Sequence, residues 1–480
     1  MSENKGNWYT VAHLVSLLYP DPERSPEQAD QALSRYKRTI NDLLKPYLQG
    51  EDAIESWPYM GYRIKPIVQP KSGPSSPAGR HTRVIWVSSG AILLVAIAVS
   101  LIIVAGPLVS PPRTSITITI ASSSTKKEWI NQAVAAFIEE SKANEQFQIE
   151  HRAIVVTVLL EEIEPGRWDH YRSGSMIRDI LSRKIEPTIA SPAEQSWILD
   201  LKESWPDRKP IVSDDGPGLV RTPLVIAMWR SRAMALGCWP TAGPDCTWER
   251  LRALASSTEG WGILGHPEWG KLKYGYGFVG KSNSATFTMV LNCMSGLQKT
   301  SGLTLEDVRR ESGCGHAMLA LRKPPGDTAV IRIYEKSEWA LRDMWQIGPS
   351  YLDAVTTYEQ EVTEVAAEQA PRLPEPIVAA YPQDGVIMAT HPFTILDGAP
   401  WVTLDQAKAA RIFRQFLLSR QQQSLLLGYG FRPADAAATL GPRIDPAYGV
   451  NPQANLALID VPHSLVIDAI VKLWEAFAAL

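Results

Sequence analysis

Cysteine is scarce in this chain. There are 4 in 480 residues, and none precedes Cys238. They stand at no C-x2-C spacing, and no H-x3-H pair accompanies them, so no ready tetrahedral metal set exists. His266, His316 and His391 are scattered and read as packing or loop residues. The patterns G-x-S-x-G and H-E-x-x-H are absent, as is the S-x-x-K, S-D-N and K-T-G set taken together. Paired carboxylates occur at Asp214-Asp215 and Glu161-Glu162, but neither pair falls on a stretch that reads as a cleft wall. The expectation is a protein that is not an enzyme and carries no cofactor. Net charge is also slight, at -3, so the chain as a whole has no electrostatic footprint for nucleic acid.

What the sequence does have is one long apolar run. Residues 84–109, VIWVSSGAILLVAIAVSLIIVAGPLV, hold no charged residue over 26 positions. About 20 apolar residues in a helix span a bilayer core. A buried core helix of that length would ordinarily show a polar face. A cleaved signal would not follow some 80 residues of other sequence. Lys65, Lys71, Arg80 and Arg83 precede the run, whereas Arg113 is the first cation after it. This bias sets the N-terminal side in the cytoplasm and the C-terminal part outside the cytoplasmic membrane, with a single pass. All four cysteines then lie on the oxidising side, where an even count fits two disulfides. The local pairings Cys238–Cys246 and Cys293–Cys314 are expected, with four free cysteines as the alternative.

The N-terminal part divides into a small folded piece, residues 1–65, and a Pro-, Gly- and Ser-rich linker, residues 66–83. The folded piece shows helical spacing at Thr10–Leu18 and again after Ser25-Pro26-Glu27, where Ser25 and Gln28 fit a capping box. Ile54–Trp57 and Tyr62–Ile64 read as two short strands joined by a Pro58–Gly61 turn. The stretches ALSRYKRTINDLL and WPYMGYRI resemble the recognition helix and wing of winged-helix DNA-binding domains, as in response regulators and membrane-spanning activators. The resemblance implies an α+β domain that contacts duplex DNA through Arg35, Lys37 and Arg38. The piece is shorter than that family's domain and lacks its leading sheet. It carries 8 Lys and Arg against 9 Asp and Glu, where a DNA binder profits from basic excess. A protein-docking domain is the alternative.

Residues 114–480 alternate strands with helices, which implies an α/β fold with parallel sheets. TSITITIA reads as a strand entering the hydroxyl-rich loop Ser122–Thr125 and then a helix with Trp129, Ile130, Ala133, Val134 and Phe137 on one face. A strand, a serine loop and a helix N-terminus form a cradle suited to an anionic or polar ligand. The same residues also serve as plain helix caps. PTIASPAEQSW, TPLVIAMW, WGILGHPEWGKLKYGYGFVGKSNSAT, IGPSYLDAVTTYEQEV, AAYPQDGVIMATHPFTILDGAPWV, SRQQQSLLLGYGFRPAD and GVNPQANL follow in that order. Together they are similar to bacterial extracellular solute-binding proteins of the type II periplasmic-binding fold, most of all the branch often fused to a von Willebrand A domain. No D-x-S-x-S metal motif of that domain occurs here.

The resemblance implies two α/β lobes with a small-molecule ligand between them. It places crossings near Ser213–Arg221 and Tyr358–Pro371. It points to Ser122, Ser123, Ser191, Ser282, Asn283, Ser284 and Tyr358 as ligand contacts. Each has an ordinary counterpart: Ser282 or Ser284 as a helix cap, Tyr358 as a packing residue. Trp197, Trp229, Trp248, Trp261, Trp339 and Trp401 sit in apolar runs or at element ends and read as core. The expected function is a membrane-anchored solute-binding receptor. A tethered accessory delivering solute to a permease, a winged-helix regulator working with a like subunit, and a non-catalytic scaffold are the alternatives.

Overall fold

The computed structural model describes residues 54–57, 61–64, 115–309 and 313–477. The chain divides into two compact units, Met1–Gly106 and Pro107–Leu480. In the first, β1 (Ile54–Trp57) and β2 (Gly61–Ile64) pair antiparallel with Ile54 opposite Ile64. This is the hairpin expected from the Pro58–Gly61 turn. The expected N-terminal helices, Arg35, Lys37 and Arg38, the linker 66–83 and the apolar run 84–109 lie outside the described residues. Among the described residues no helix is long and apolar enough to cross a membrane.

The second unit holds two sheets. Sheet one is ordered β14-β7-β3-β5-β4, with β6 also on β5. Its strands are β3 (Ile116–Ser122), β4 (Gln148–Ile149), β5 (Arg152–Glu164), β6 (Arg167–His170), β7 (Ile189–Ser191) and β14 (Thr394–Ile395). Sheet two is ordered β10-β9-β11-β8-β12, with β13 also on β8. Its strands are β8 (Thr222–Trp229), β9 (Leu272–Gly277), β10 (Ala329–Tyr334), β11 (Ala354–Tyr358), β12 (Ile377–Ala380) and β13 (Met388–Ala389). Each sheet has three parallel strands with the earliest in the middle, β5-β3-β7 and β10-β9-β11. Beside the third parallel strand each then adds a reversed one, β14 on β7 or β8 on β11, contributed by chain that has just crossed from the other lobe, and β4 and β6 also run antiparallel to β5.

Sequence pattern explains the layers. TPLVIAMW of β8 is buried throughout because helices cover both faces of sheet two. Its residues alternate: Leu224, Ile226 and Met228 enter one core, and Val225, Ala227 and Trp229 the other. Sheet one is likewise flanked by two cores. Ile116, Ile118 and Ile120 meet Trp129, Ile130 and Phe137 of the helix Lys127–Ala143 on one side. Ala121 and Ala190 meet Ile177, Ile180 and Ile198 on the other.

Both expected disulfides are present, Cys238–Cys246 and Cys293–Cys314, with Cα separations of 4.9 and 4.1 Å. The second ties the helix Asn283–Gly296 to the helix Cys314–Arg322, both in lobe two.

The chain crosses between the lobes before β8, within the expected Ser213–Arg221 region. The second crossing is not at Tyr358–Pro371. The helix Glu359–Gln369 and strands β12 and β13 stay in lobe two, so the return lies between Ala389 and Thr394. A third passage follows Phe431, after which Ile444 and Val450 join a core of lobe two. These passages form a ribbon. The Leu219 N–H donates to His391 O at 3.0 Å, and Arg221 and Arg432 exchange backbone hydrogen bonds at 3.0 and 2.8 Å. Arg432 also grips the buried Glu359 carboxylate at 2.7 and 2.8 Å. Gly216 has φ +78°, and a Cβ there would lie 2.0 Å from Phe393 O in the ribbon.

Candidate functional site

The cleft is built from helix N-termini. Lobe one presents the Ser123–Thr125 loop leading into the helix Lys127–Ala143, and the helix Ser173–Leu181. Lobe two presents the helices Asn283–Gly296, Ser337–Ile347 and Glu359–Gln369. Each starts at the end of a strand or the short turn after it, so unpaired backbone donors collect where the two sheets face each other.

Five of the seven expected ligand residues meet around one cavity of 20 Å³: Ser123, Ser282, Asn283, Ser284 and Tyr358. That space suits about one water molecule. The side chains fill it by bonding to each other. Ser282 Oγ and Ser284 Oγ lie 3.0 Å apart. Asn283 Nδ2 donates to the Tyr358 hydroxyl, while Asn283 Oδ1 accepts from Trp197 Nε1 of the opposite lobe. Burial pushes the Tyr358 phenol above its ordinary range, so it stays protonated. Ser282 stands at the N-cap of its helix without making a side-chain cap bond.

Ser122 and Ser191, the other two expected ligand residues, stand apart from this cavity. Both are fully buried. Ser191 Oγ donates to Pro392 O at 2.7 Å, and Ser122 Oγ has no partner. They lie below the surface because β3 and β7 pair side by side through Ser122 and Ser191. Lys126 is buried beside them. Its Nζ donates to Ser123 Oγ at 3.2 Å and Ser191 O at 2.8 Å, and burial without a carboxylate partner lowers its pKa well below the usual range.

Ion pairs stitch the lobes together at the cleft. Lys336 Nζ reaches Asp169 at 2.8 Å and His170 O at 3.0 Å. Arg172 bonds Glu335 across the gap and is held from behind by Glu161, whose carboxylate lies 2.5 Å from Nη2. The Arg172 bonds outweigh burial and keep the Glu161 carboxyl below its ordinary value. Glu161 lines neither cavity, as read from the Glu161-Glu162 pair, but it braces Arg172, which lines the smaller one. Lys127 pairs with Glu338 at 3.2 Å. Backbone contacts add to these: the Gly174 N–H donates to Lys281 O at 3.0 Å, and Gln360 Nε2 to Thr125 O at 2.7 Å. Arg172 and the adjacent Glu335-Lys336 gave no motif in the sequence, because they stand in short turns at the edges of elements.

A second, larger cavity of 300 Å³ adjoins the first, on the side of the ribbon residue Phe431. It is also interlobar. Trp129, Arg167 and Tyr429 come from lobe one, and Trp339, Trp345, Gln360 and Glu364 from lobe two. Trp339 thus faces a cavity, with the Arg167 guanidinium 3.7 Å from its ring centre, rather than serving the core alone. The volume lies at the lower end of the range for small-molecule sites.

One sequence pattern invites a different reading. Gly275–Ser282, GYGFVGKS, has the G-x-x-x-x-G-K-S spacing of a phosphate loop and lies between β9 and the helix Asn283–Gly296. The geometry rejects it. Gly275 and Gly277 are inside the strand, and the loop's own amides are spent: Lys281 and Ser282 N–H on Phe278 O, Gly280 N–H on Thr286 Oγ1. Lys281 Nζ lies over the Phe278 ring at 4.6 Å. Among the described residues no group of three or more His, Cys, Asp or Glu is placed to hold a metal ion.

No family model and no curated protein matches the chain. Solved structures similar to it include a periplasmic thiamin binding protein, 12% identical over 77% of this chain and 98% of that one, with a TM-score of 0.49. A ferric binding protein from Campylobacter jejuni is 10% identical over 76% and 99%, with a TM-score of 0.48. The sulfate-binding protein SubI from Mycobacterium tuberculosis H37Rv is 15% identical over 72% and 93%, with a TM-score of 0.42.

Proposed function

We propose that the chain is a non-catalytic solute-binding protein whose two lobes close on a small molecule. One observation carries this reading: two sheets of matching strand order are joined by a narrow ribbon and face each other across a cavity. Such an arrangement allows hinge closure, and a ligand that touches both lobes favours the closed state by its differential affinity. Ser123, Ser282, Asn283, Ser284 and Tyr358 form the inner wall, and the 300 Å³ cavity is the place for the solute.

The same proposal anchors the protein in the cytoplasmic membrane through residues 84–109, with the N-terminus in the cytoplasm and the two-lobed unit outside. The flanking charges support that orientation, and the two disulfides fit an oxidising compartment. The small cytoplasmic piece makes the whole a receptor. The β1–β2 hairpin favours a winged-helix form of it, with Arg35, Lys37 and Arg38 toward DNA and a like subunit beside it. A docking domain for a permease is the competing role.

A thermal-shift screen of the full chain against oxyanions, sugars, amino acids and amines tests the binding reading. A ligand at about a hundredfold its dissociation constant adds roughly 2.7 kcal/mol of stability, enough to move the melting temperature visibly. No shift with any compound would refute it. Gel retardation of duplex DNA across a salt series tests the regulator role, which absence of salt-sensitive binding would sink.

A further inference from the structure

The serine loops and helix N-termini suggest an anion. The physics of the larger cavity points the other way. Three helix N-termini border it, those of Lys127–Ala143, Ser337–Ile347 and Glu359–Gln369. Each could favour an anion by about 0.3–1 kcal/mol. Each already carries its own carboxylate in the first turn: Glu128, Glu338, and Glu359 with Glu361. The helix ends are therefore answered from within.

The charges lining the cavity are unequal. Six acidic side chains face four basic ones, and burial pushes one of each, Glu361 and Lys126, toward its neutral form, which leaves five against three. The cations have partners: Lys127 has Glu338, Arg167 has Glu164 and the Trp339 ring, Arg342 has Asp343, and Lys126 is held by Ser123 and Ser191. Among the described residues Glu128, Glu364 and Glu368 form no ion pair. Glu364 is partly buried among carboxylates, and its pKa is pushed up to about 7, by burial first and then by Glu368. The chain holds that group where a ligand cation would lower its energy.

An independent observation concerns a neutral group. Gln360 lines the cavity and is 2% exposed. Its Nε2 is committed to Thr125 O, while its Oε1, an acceptor, has no partner. A buried unpaired acceptor calls for a donor. Indole rings supply the rest: Trp129 and Trp345 give flat apolar walls, and Trp faces attract cations, the Trp339 face being taken by Arg167. The Trp129 Nε1 is also without a partner, which leaves a donor for a ligand oxygen.

We infer that the solute is an organic cation, a protonated amine on an aromatic or compact apolar body, seated between Glu364, Gln360 and the indoles of the 300 Å³ cavity. This rests on the solute-binding reading and assigns its ligand class. The ammonium donates to Glu364 and Gln360 Oε1, and the body lies against the rings.

Calorimetry of the full chain with phenethylamine, its carboxylate counterpart hydrocinnamate, and phenethyl alcohol tests it. The three share a ring and differ in charge. Phenethylamine should bind at least about tenfold more tightly than hydrocinnamate, the scale of one charge-assisted hydrogen bond. Glu364→Gln should weaken the amine about tenfold and leave the alcohol unchanged. That variant removes an unpaired carboxylate and should fold at least as well as the parent. Equal or tighter binding of hydrocinnamate overturns the inference, and so does an unaltered amine affinity in Glu364→Gln, or no binding by any of the three. If the broad screen finds an oxyanion or a sugar while the amine stays silent, only the ligand class is wrong. Silence in both experiments removes the binding reading itself.

Discussion

Two cavities share one cleft, and they differ in what fills them. The serine-lined space is 20 Å³ and is closed by its own side chains, Asn283 to Tyr358 and Trp197, Ser282 to Ser284. Two of the helices that open onto it, Ser173–Leu181 and Asn283–Gly296, have no acid in their first turns, while Ser337–Ile347 and Glu359–Gln369 border both spaces. The neighbouring space is 300 Å³ and is bordered by helices that do carry first-turn acids. Hydroxyls and amides that satisfy each other make a latch between lobes. Glu128, Glu364 and Glu368, which form no ion pair among the described residues, with the unpartnered Gln360 Oε1 and Trp129 Nε1, make a receptacle. Polar residues at a helix N-terminus therefore mark a ligand site only when their bonds are not already spent.

Several changes would break or sharpen that contrast, beginning with the largest expected effect. The latch needs Gly174, because a Cβ there would lie 2.2 Å from Gly280 O of the opposite lobe. Gly174→Ala should hold the lobes apart and cost about 1–3 kcal/mol of closure, roughly ten- to a hundredfold in ligand affinity. Small-angle scattering should show a more extended particle. Unchanged affinity would show that closure does not need this contact. Replacing both Cys293 and Cys314 by Ser should lower stability by about 3 kcal/mol, given a chain separation of 21 residues, and be visible in chemical denaturation. The ligand's charge preference should survive it, since both cysteines lie away from either cavity.

Glu364→Gln should alter stability with pH in a definite direction. The folded-state pKa, near 7, lies above the ordinary 4.5. The folded chain therefore holds this proton more tightly, and stability falls as pH rises from about 4.5 through about 7. The variant should match the parent in acid and exceed it above neutrality, by about 1 kcal/mol once solvent screening of this partly exposed group is allowed for. Groups facing it are Glu368, Lys127, Glu338 and Glu128. A denaturation series across pH with no divergence would contradict the account. The smallest effects separate the two buried serines. Ser191→Ala loses the bond to Pro392 O and should cost about 1 kcal/mol. Ser122→Ala removes an unpartnered hydroxyl and should be neutral or slightly stabilising. Equal losses at both positions would mean their surroundings have been misjudged.

Much of the fold was legible because period and burial agree. The alternating TSITITIA became β3, the unbroken TPLVIAMW became a central strand, and cysteine spacing gave both disulfides. The second crossing was misplaced because a helix after Tyr358 looks the same whether it stays in its lobe or leaves it. Only the strand partners of β12 and β13 decide the matter. For the site, the sequence found the serine loops but not their mutual bonding, which depends on contacts such as Trp197 to Asn283, 86 residues apart. It also passed over Glu364 and Gln360. On an isolated helix both read as ordinary polar positions, and only the opposite lobe makes them walls of a cavity.

The most direct test of the central claim is charge reversal at the receptacle. Glu364→Lys can be titrated by calorimetry with phenethylamine and hydrocinnamate beside the parent chain. The account predicts that the parent prefers the amine and that the variant prefers the acid, each by about tenfold. A parent that already prefers the acid, or a variant whose preference does not move, would contradict it.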